Sequence, residues 1–217
     1  MGFRREVWPK AALERGFPLW NWFFNWDQLC LYSFRLNRGP ISFVEPRVDV
    51  NLAFIRGGEG CEGCEAYDLF EITETAISRR RLEEGKIACV VLHEGRIASY
   101  CWVALKKAKI GEIGREIHLR EGEVYLYDAM TFPAFRGKGF YPAILSHILR
   151  YVQEEGFQRS LIFTLRSNRA SVRGIEKCGF RLFQRITLIQ FLGLSFPIYG
   201  RVREGEMGVE FLDRGNL

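Results

Sequence analysis

This sequence predicts a mixed α/β fold, a central mixed β-sheet with helices on both faces, and three observations point there. From about residue 48, apolar segments of strand length alternate with segments of helix length, in the order β-α-α-β-β-β-α-β-α-β. The clearest helical segment carries Ile144, Leu145, Ile148, Leu149 and Val152 as a one-sided apolar stripe. Glycines punctuate the pattern, in a Glu94-Gly95 turn and at Gly156 and Gly179 just past two helices. A chain of 217 residues is long enough for one substantial domain, alone or with an appendage. A hydrophobic content of 47% with 26% charged residues excludes disordered and collagen-like classes.

Residues 1–47 are expected to form an N-terminal segment ahead of a domain spanning 48–217. Residues 17–34, FPLWNWFFNWDQLCLYSF, are unusually aromatic. Asn21, Asn25 and Gln28 fall at helical spacing and make a narrow polar stripe, with Trp20, Trp22, Phe23, Phe24, Trp26 and Leu29 around the rest. Polar residues and Asp27 interrupt the run, which argues against a membrane span. An interfacial helix with peripheral membrane contact is one reading. Packing on the domain that follows or on a second copy in a homodimer is the other, and the favoured one.

VDVNLAFIR, from residue 48, alternates as a strand, and Asp68 with Glu71 reads as a capping box opening a helix. Arg79, Arg80 and Arg81 fall on a second helix as a solvated charge run, or as an attraction for an acidic acceptor. KIACVVLHEGRIASYCWVAL reads as a hairpin and EVYLYDAMTF as a further strand. RSLIFTL is a strand, NRASVRGIEKCGF a short helix, and residues 180–203 supply one or two closing strands.

The net charge of +5 favours anionic ligands but lacks the clustered basic stripes of a nucleic-acid binder, so no nucleic-acid partner is expected. Cys89 and Cys101 lie in strand-like apolar runs, where a thiol behaves as a small hydrophobe. Residues 1–16 carry Arg4, Arg5, Glu6, Lys10, Glu14 and Arg15 without an apolar core, so a reducing cytoplasm is the expected setting. The CxxC of Cys61 and Cys64 has no second pair to complete a zinc site, and histidines 93, 118 and 147 are scattered; no metal is expected.

The stretch that carries the chemistry is AFRGKGFYPAIL. Arg136, Gly137, Lys138 and Gly139 place two glycines and two cations directly ahead of a helix. Walker-type spacing fails because Gly139 follows Lys138, and a dinucleotide fingerprint fails because Pro142 stands at the third glycine. What remains is the general device, consecutive backbone N–H groups at a helix N-terminus aimed at a diphosphate. Pro142 biases Tyr141 away from helical dihedrals, so the helix is expected to begin at Pro142.

A strand ending Thr131-Phe132-Pro133, then R-G-K-G, a helix, a strand, and N-x-x-S-x(7)-G-F from Asn168 to Phe180 resembles the GNAT superfamily of N-acetyltransferases over about residues 48–190. The resemblance implies a GNAT-like fold with splayed parallel strands at 123–131 and 160–165. It implies acetyl-CoA as co-substrate, its diphosphate on the amides of Arg136, Gly137, Lys138, Gly139, Phe140 and Tyr141. It further implies a thioester carbonyl polarised by a backbone N–H near Met130 or Thr131, with Asn168 and Ser171 contacting the pantetheine arm or fixing the strand ends. Two positions depart from the family pattern: Tyr141 stands where Gly or Ala is usual, and Ile175 where many members carry a thiolate-protonating tyrosine.

Two carboxylates are candidate bases on the strand before the loop. Glu123, thirteen residues before Arg136, is either a catalytic glutamate or a strand-start residue beside Gly122. Asp128 shares a strand face with Val124, Leu126 and Met130 by simple alternation, which predicts a partly buried base or ammonium grip; the alternative is a structural pair with an arginine. Tyr125 and Tyr127 are a water relay or packing residues, with packing favoured, and His118 is an exposed strand residue. The implied activity is transfer of an acetyl group to a primary amine of a small molecule or cell-envelope precursor. A longer-chain N-acyltransferase and a non-catalytic acyl-CoA-binding module stay open beside it.

Overall fold

The computed structural model describes residues 24–57, 75–191 and 194–212. Its elements are β1 (Phe24–Arg35), β2 (Asn51–Ile55), α1 (Thr75–Glu83), β3 (Ile87–His93), β4 (Arg96–Ala104), β5 (Lys107–Ile110), β6 (Arg115–His118), β7 (Glu123–Thr131), α2 (Phe140–Glu154), β8 (Arg159–Leu165), α3 (Arg169–Lys177), β9 (Arg181–Phe191), β10 (Leu194–Tyr199) and β11 (Glu210–Leu212). Eight strands form one sheet in the order β10-β9-β1-β8-β7-β4-β3-β2, mixed because β7 and β8 run parallel. Strands β11, β6 and β5 form a second, smaller sheet that the sequence reading missed.

The large sheet is covered on both faces. Helices α2 and α3 cover one, where Phe140, Ile144, Leu145, Ile148 and Ile175 pack on Val124, Leu126, Cys89 and Val103. The small sheet covers part of the other, with Ala108, Ile110 and Ile117 against Leu29, Leu31, Tyr125 and Phe183. Leu82 of α1 covers the remainder, over Ala88, Val90, Tyr100 and Trp102. Cys89 and Cys101 are cross-strand partners with no exposed surface, and burial pushes both thiols up.

The helix expected over 17–34 is corrected where it is described. Residues 24–35 are strand β1, inserted between β8 and β9 and antiparallel to both. Leu29 and Leu31 enter one core, while Cys30 and Tyr32 enter the core on the opposite face. A strand buried on both faces is apolar all round, so its period of two is erased and the surviving polar residues imitate helical spacing. Residues 24–35 therefore pack within the same sheet as the rest of the chain. The Cys61–Cys64 pair, the Asp68–Glu71 capping box and residues 17–23 lie outside the described residues. No helix among the described residues is long and apolar enough to cross a membrane.

Glu123 receives its role from the fold. It opens β7 opposite Arg159 of β8, and both side chains are 5% exposed. Arg159 Nη1 donates to Glu123 Oε1 at 2.8 Å, and the Arg120 N–H donates to Oε2 at 3.1 Å. Arg159 Nη2 also donates to the Met207 carbonyl at 2.7 Å. With both carboxylate oxygens engaged at the start of the paired stretch, Glu123 ties the sheet together and is not placed to deprotonate an acceptor. Removing Glu123 leaves the buried Arg159 only the Met207 carbonyl and Glu206 at 3.7 Å, at a cost of up to about 3–5 kcal/mol. Glu123→Ala is therefore expected to lower the melting temperature by on the order of 10 °C in calorimetry. If the melting point stays put while turnover collapses, the catalytic reading of Glu123 returns.

Candidate functional site

The site grows from the way β7 and β8 separate. They are paired only from Glu123 to Leu126 against Arg159 to Ile162. Beyond Leu126, β7 keeps its pairing with β4 as far as Thr131, and β8 keeps its pairing with β1 as far as Leu165. The two parallel strands thus part in mid-sheet. The β7 edge from Tyr127 to Thr131 has no strand partner on the side of that opening, and such an edge can be extended by a ligand.

A bulge sets the shape of this edge. Tyr127 pairs with Trp102 but Met130 pairs with Tyr100, so β7 carries one residue more than β4. Asp128 takes up the excess with φ 45°, a left-handed value that few residues other than Gly, Asn and Asp adopt. The bulge reverses the alternation: Ala129 joins Val124 and Leu126 on the helix-covered face. Simple alternation for Asp128 is therefore corrected. Its side chain is 38% exposed and accepts from Arg81 Nη1 of α1 at 2.5 Å, beside Trp102 and Tyr127 on the other face. The anticipated arginine contact is present, on a carboxylate that stays partly exposed beside the opening.

Met130 and Thr131 end the open edge. Ser99 Oγ donates to the Met130 carbonyl at 2.8 Å and lies 2.9 Å from Thr131 Oγ1. Arg136 Nε donates to the Thr131 carbonyl at 3.2 Å, folding the loop back on its strand. Burial pushes the Tyr100 phenol up to about 12, and its hydroxyl lies 3.8 Å from the Met130 sulfur.

The glycine loop follows. Gly137 and Gly139 have φ of 81° and 84°, and Gly139 is the N-cap of α2. Among the described residues no acceptor takes the backbone N–H groups of Gly137, Lys138, Gly139, Phe140 or Tyr141. Left-handed glycines beside a helix N-terminus turn successive N–H groups toward one concavity, and this one fits an anion. A Cβ added at Gly137 would meet no protein atom within 4 Å, so the space above it is open.

The loop is braced from outside. The Arg47 N–H donates to the Lys138 carbonyl at 2.9 Å, and the Val44 N–H donates to Ser146 Oγ at 3.1 Å. Lys138 Nζ lies 3.2 Å from His93 Nε2 and 5.7 Å from the centre of the Phe135 ring. The strap at residues 44–47 was not legible beforehand, because nothing local announces a segment that crosses the chain to reach residue 138.

Helix α2 begins at Phe140, not at the expected Pro142. Proline is tolerated in a first turn because its missing N–H would have had no intrahelical partner. Tyr141 is accordingly helical, and its ring rests on α3 over Gly174. A Cβ at Gly174 would come within 2.5 Å of the Tyr141 ring. Burial pushes the Tyr141 phenol up. The bulk gained at position 141 is thus taken up by the missing side chain at 174. Gly174→Ala is expected to cost about 1–3 kcal/mol by overpacking, and Tyr141→Ala should recover most of that in the double variant, read by urea denaturation. Simple additivity of the two losses would contradict the pairing.

On the β8 side, Asn168 caps α3, its Oδ1 accepting the Ser171 N–H at 3.2 Å. Ile175 is fully buried in the main core. Tyr125 is packed, stacking on Tyr127 at 5.6 Å, and His118 lies 2.9 Å from Glu116 on the small sheet. No group of three or more metal-ligating side chains occurs among the described residues.

Comparison with known proteins agrees with this geometry. Residues 72–181 match the Acetyltransferase (GNAT) domain family. No curated protein matches the chain. Among solved structures it is similar to a GCN5-related N-acetyltransferase from Sphaerobacter thermophilus, with 13% identity, a TM-score of 0.54, and 88% of this chain and 59% of that one covered. It is also similar to a GNAT-family acetyltransferase from Colwellia psychrerythraea, with 17% identity, a TM-score of 0.51, and 77% and 57% covered. A third is the GCN5-related glucosamine N-acetyltransferase region of a fungal multi-domain GH3 β-N-acetylglucosaminidase, with 12% identity, a TM-score of 0.53, and 77% and 21% covered. The chain spans under three fifths of the length of each of these solved structures.

Proposed function

The chain belongs to the GNAT acetyltransferase family, and from that premise we propose that it transfers an acetyl group from acetyl-CoA to a primary amine of a small molecule or cell-envelope precursor. The observation that carries the reading is the row of untaken amides from Gly137 to Tyr141 beside the parting of β7 and β8. Those amides hold the diphosphate, with Arg136 and Lys138 adding charge. The open edge from Tyr127 to Thr131 takes the pantetheine arm as an added strand. Asn168 and Ser171 fix the opposite lip.

Acetyl-CoA supplies the acetyl group as a thioester, whose carbonyl carbon is open to a neutral amine. A backbone N–H near Met130 or Thr131 donates to the carbonyl oxygen as negative charge gathers there, worth roughly 3 kcal/mol for one well-aimed donor. Asp128 holds the incoming ammonium and accepts its proton. As the C–N bond forms the C–S bond breaks, the sulfur leaves as a thiolate, and the nitrogen gives its remaining extra proton to solvent water. Ile175 has no proton to offer, and with a thiol pKa near about 8.5 none is required for departure.

The test is a thiol-release assay with acetyl-CoA over primary amines, amino acids and amino sugars. Glucosamine is among the first to try, since the similar fungal region is named a glucosamine N-acetyltransferase. Release that depends on an amine supports the proposal. Preference for octanoyl-CoA moves the reading to longer acyl chains, and tight CoA binding without any release moves it to a non-catalytic binding module.

A further inference from the structure

The face of the sheet beneath α1 holds a cation in a box made for one. The Arg81 guanidinium lies 2.5 Å from the Asp128 carboxylate, with its central carbon 5.0 Å from the Trp102 ring centre and 5.1 Å from that of Tyr127. Two ring faces and a carboxylate around one site select positive charge. We propose that the acceptor's ammonium binds in this box, taking the place that Arg81 fills, so that the acceptor is an organic cation and not an acidic compound. The word acceptor rests on the acetyl-transfer reading above; the cation site does not.

Three further observations carry it. Asp128 is the second residue past the last β7–β8 pair, where the strands have just parted, so a cation held by it sits at the edge of the opening. Its left-handed backbone sits in a bulge of β7, an irregularity of the kind that gathers beside working sites. The Tyr127 hydroxyl, in the same box, is buried and has no hydrogen-bond partner. A ligand with a donor or acceptor beside its ammonium would give it one, as Arg81 does not.

Most of the neighbouring charge is matched, with Arg79 of α1 exposed and without an ion pair among the described residues. Arg80 and Lys86 both pair with Glu84, and Arg81 is matched by Asp128. Lys86 also lies 5.9 Å from the centre of the Tyr127 ring. The Arg81 side chain is 19% exposed and the carboxylate it meets 38%, so the pair lies at the solvent-facing end of the box, where ion pairs are weak and a competing cation can reach it. The presence of Arg81 acts as a competitor built into α1, so wild-type affinity for the acceptor is lower than the box alone would give.

Butylguanidine, which copies the Arg81 head and stem, is the probe. Arg81→Ala empties the box, and Arg81→Met keeps an apolar stem over Trp102 in case the smaller residue impairs folding. With CoA present, both variants are expected to bind butylguanidine at least tenfold more tightly than wild type by calorimetry, and Asp128→Asn in the Arg81→Met background should abolish the gain. In turnover, both variants should show an acceptor KM at least fivefold lower with kcat within twofold, and butylguanidine should compete with the acceptor. Equal butylguanidine binding in wild type and variants overturns the cation site. So does a kcat that falls on removal of Arg81 and is restored by butylguanidine, since Arg81 would then be holding Asp128 in position. If no amine is acetylated yet the tenfold gain appears, the box stands and the transfer reading fails. Preference for glutamate over glucosamine or putrescine overturns the assignment of the acceptor.

Discussion

Gly137→Asn is expected to weaken CoA binding by about 10- to 1000-fold while leaving the fold intact. The residue has φ 81°, which asparagine tolerates better than other side chains, and a Cβ there meets no protein atom. The new side chain instead occupies the open space above the amides of Gly137 to Tyr141. Each charge-assisted hydrogen bond to a diphosphate is worth about 1.5–3 kcal/mol, and about 1.4 kcal/mol is a decade in affinity, so losing one such bond, or two of about 2 kcal/mol each, gives that range. Calorimetric titration of CoA would show the loss, and a melting temperature within about 3 °C of wild type would show the fold unharmed. Near-normal CoA affinity in this variant would place the diphosphate elsewhere.

Asp128→Asn is expected to lower kcat/KM for the acceptor by about 10²- to 10⁴-fold, the usual range for loss of a positioned base. Asparagine is nearly isosteric and also accepts a left-handed backbone, so the bulge at φ 45° is retained. CoA affinity should stay within about twofold, because the loop amides lie outside the substitution. A steady-state comparison of acceptor saturation curves reads the first effect and CoA titration the second. Retention of more than half the wild-type turnover would remove Asp128 from the chemistry. A parallel fall in CoA affinity would make its role structural.

How much could be read in advance follows from which interactions are local. The glycine loop is a run of six residues whose glycines and cations declare themselves, and α2 shows its stripe plainly, although it starts two residues earlier than expected. The Glu94-Gly95 turn joins β3 and β4 as anticipated, with both residues at positive φ. Strand β1 was misread because burial on both faces removes the alternation that identifies a strand. Asp128 changed face because one inserted residue reverses parity, and a bulge in β7 is decided by its pairing with β4, far away in sequence. The Arg81–Asp128 contact and the fit of Tyr141 over Gly174 also join distant segments. A glycine in mid-helix beside a tyrosine at a small-residue position was the trace of the latter, visible once the two are seen together.

The most direct measurement compares three ligands of one family: CoA, dephospho-CoA and pantetheine, titrated into the full chain while the backbone amides of residues 136–141 are followed by NMR. CoA and dephospho-CoA should bind and shift the amides of Gly137 to Tyr141 together, while pantetheine, which lacks the diphosphate, binds at least about 100-fold more weakly and leaves them unmoved. Pantetheine binding as tightly as CoA, or CoA binding with those amides unshifted, would contradict the account.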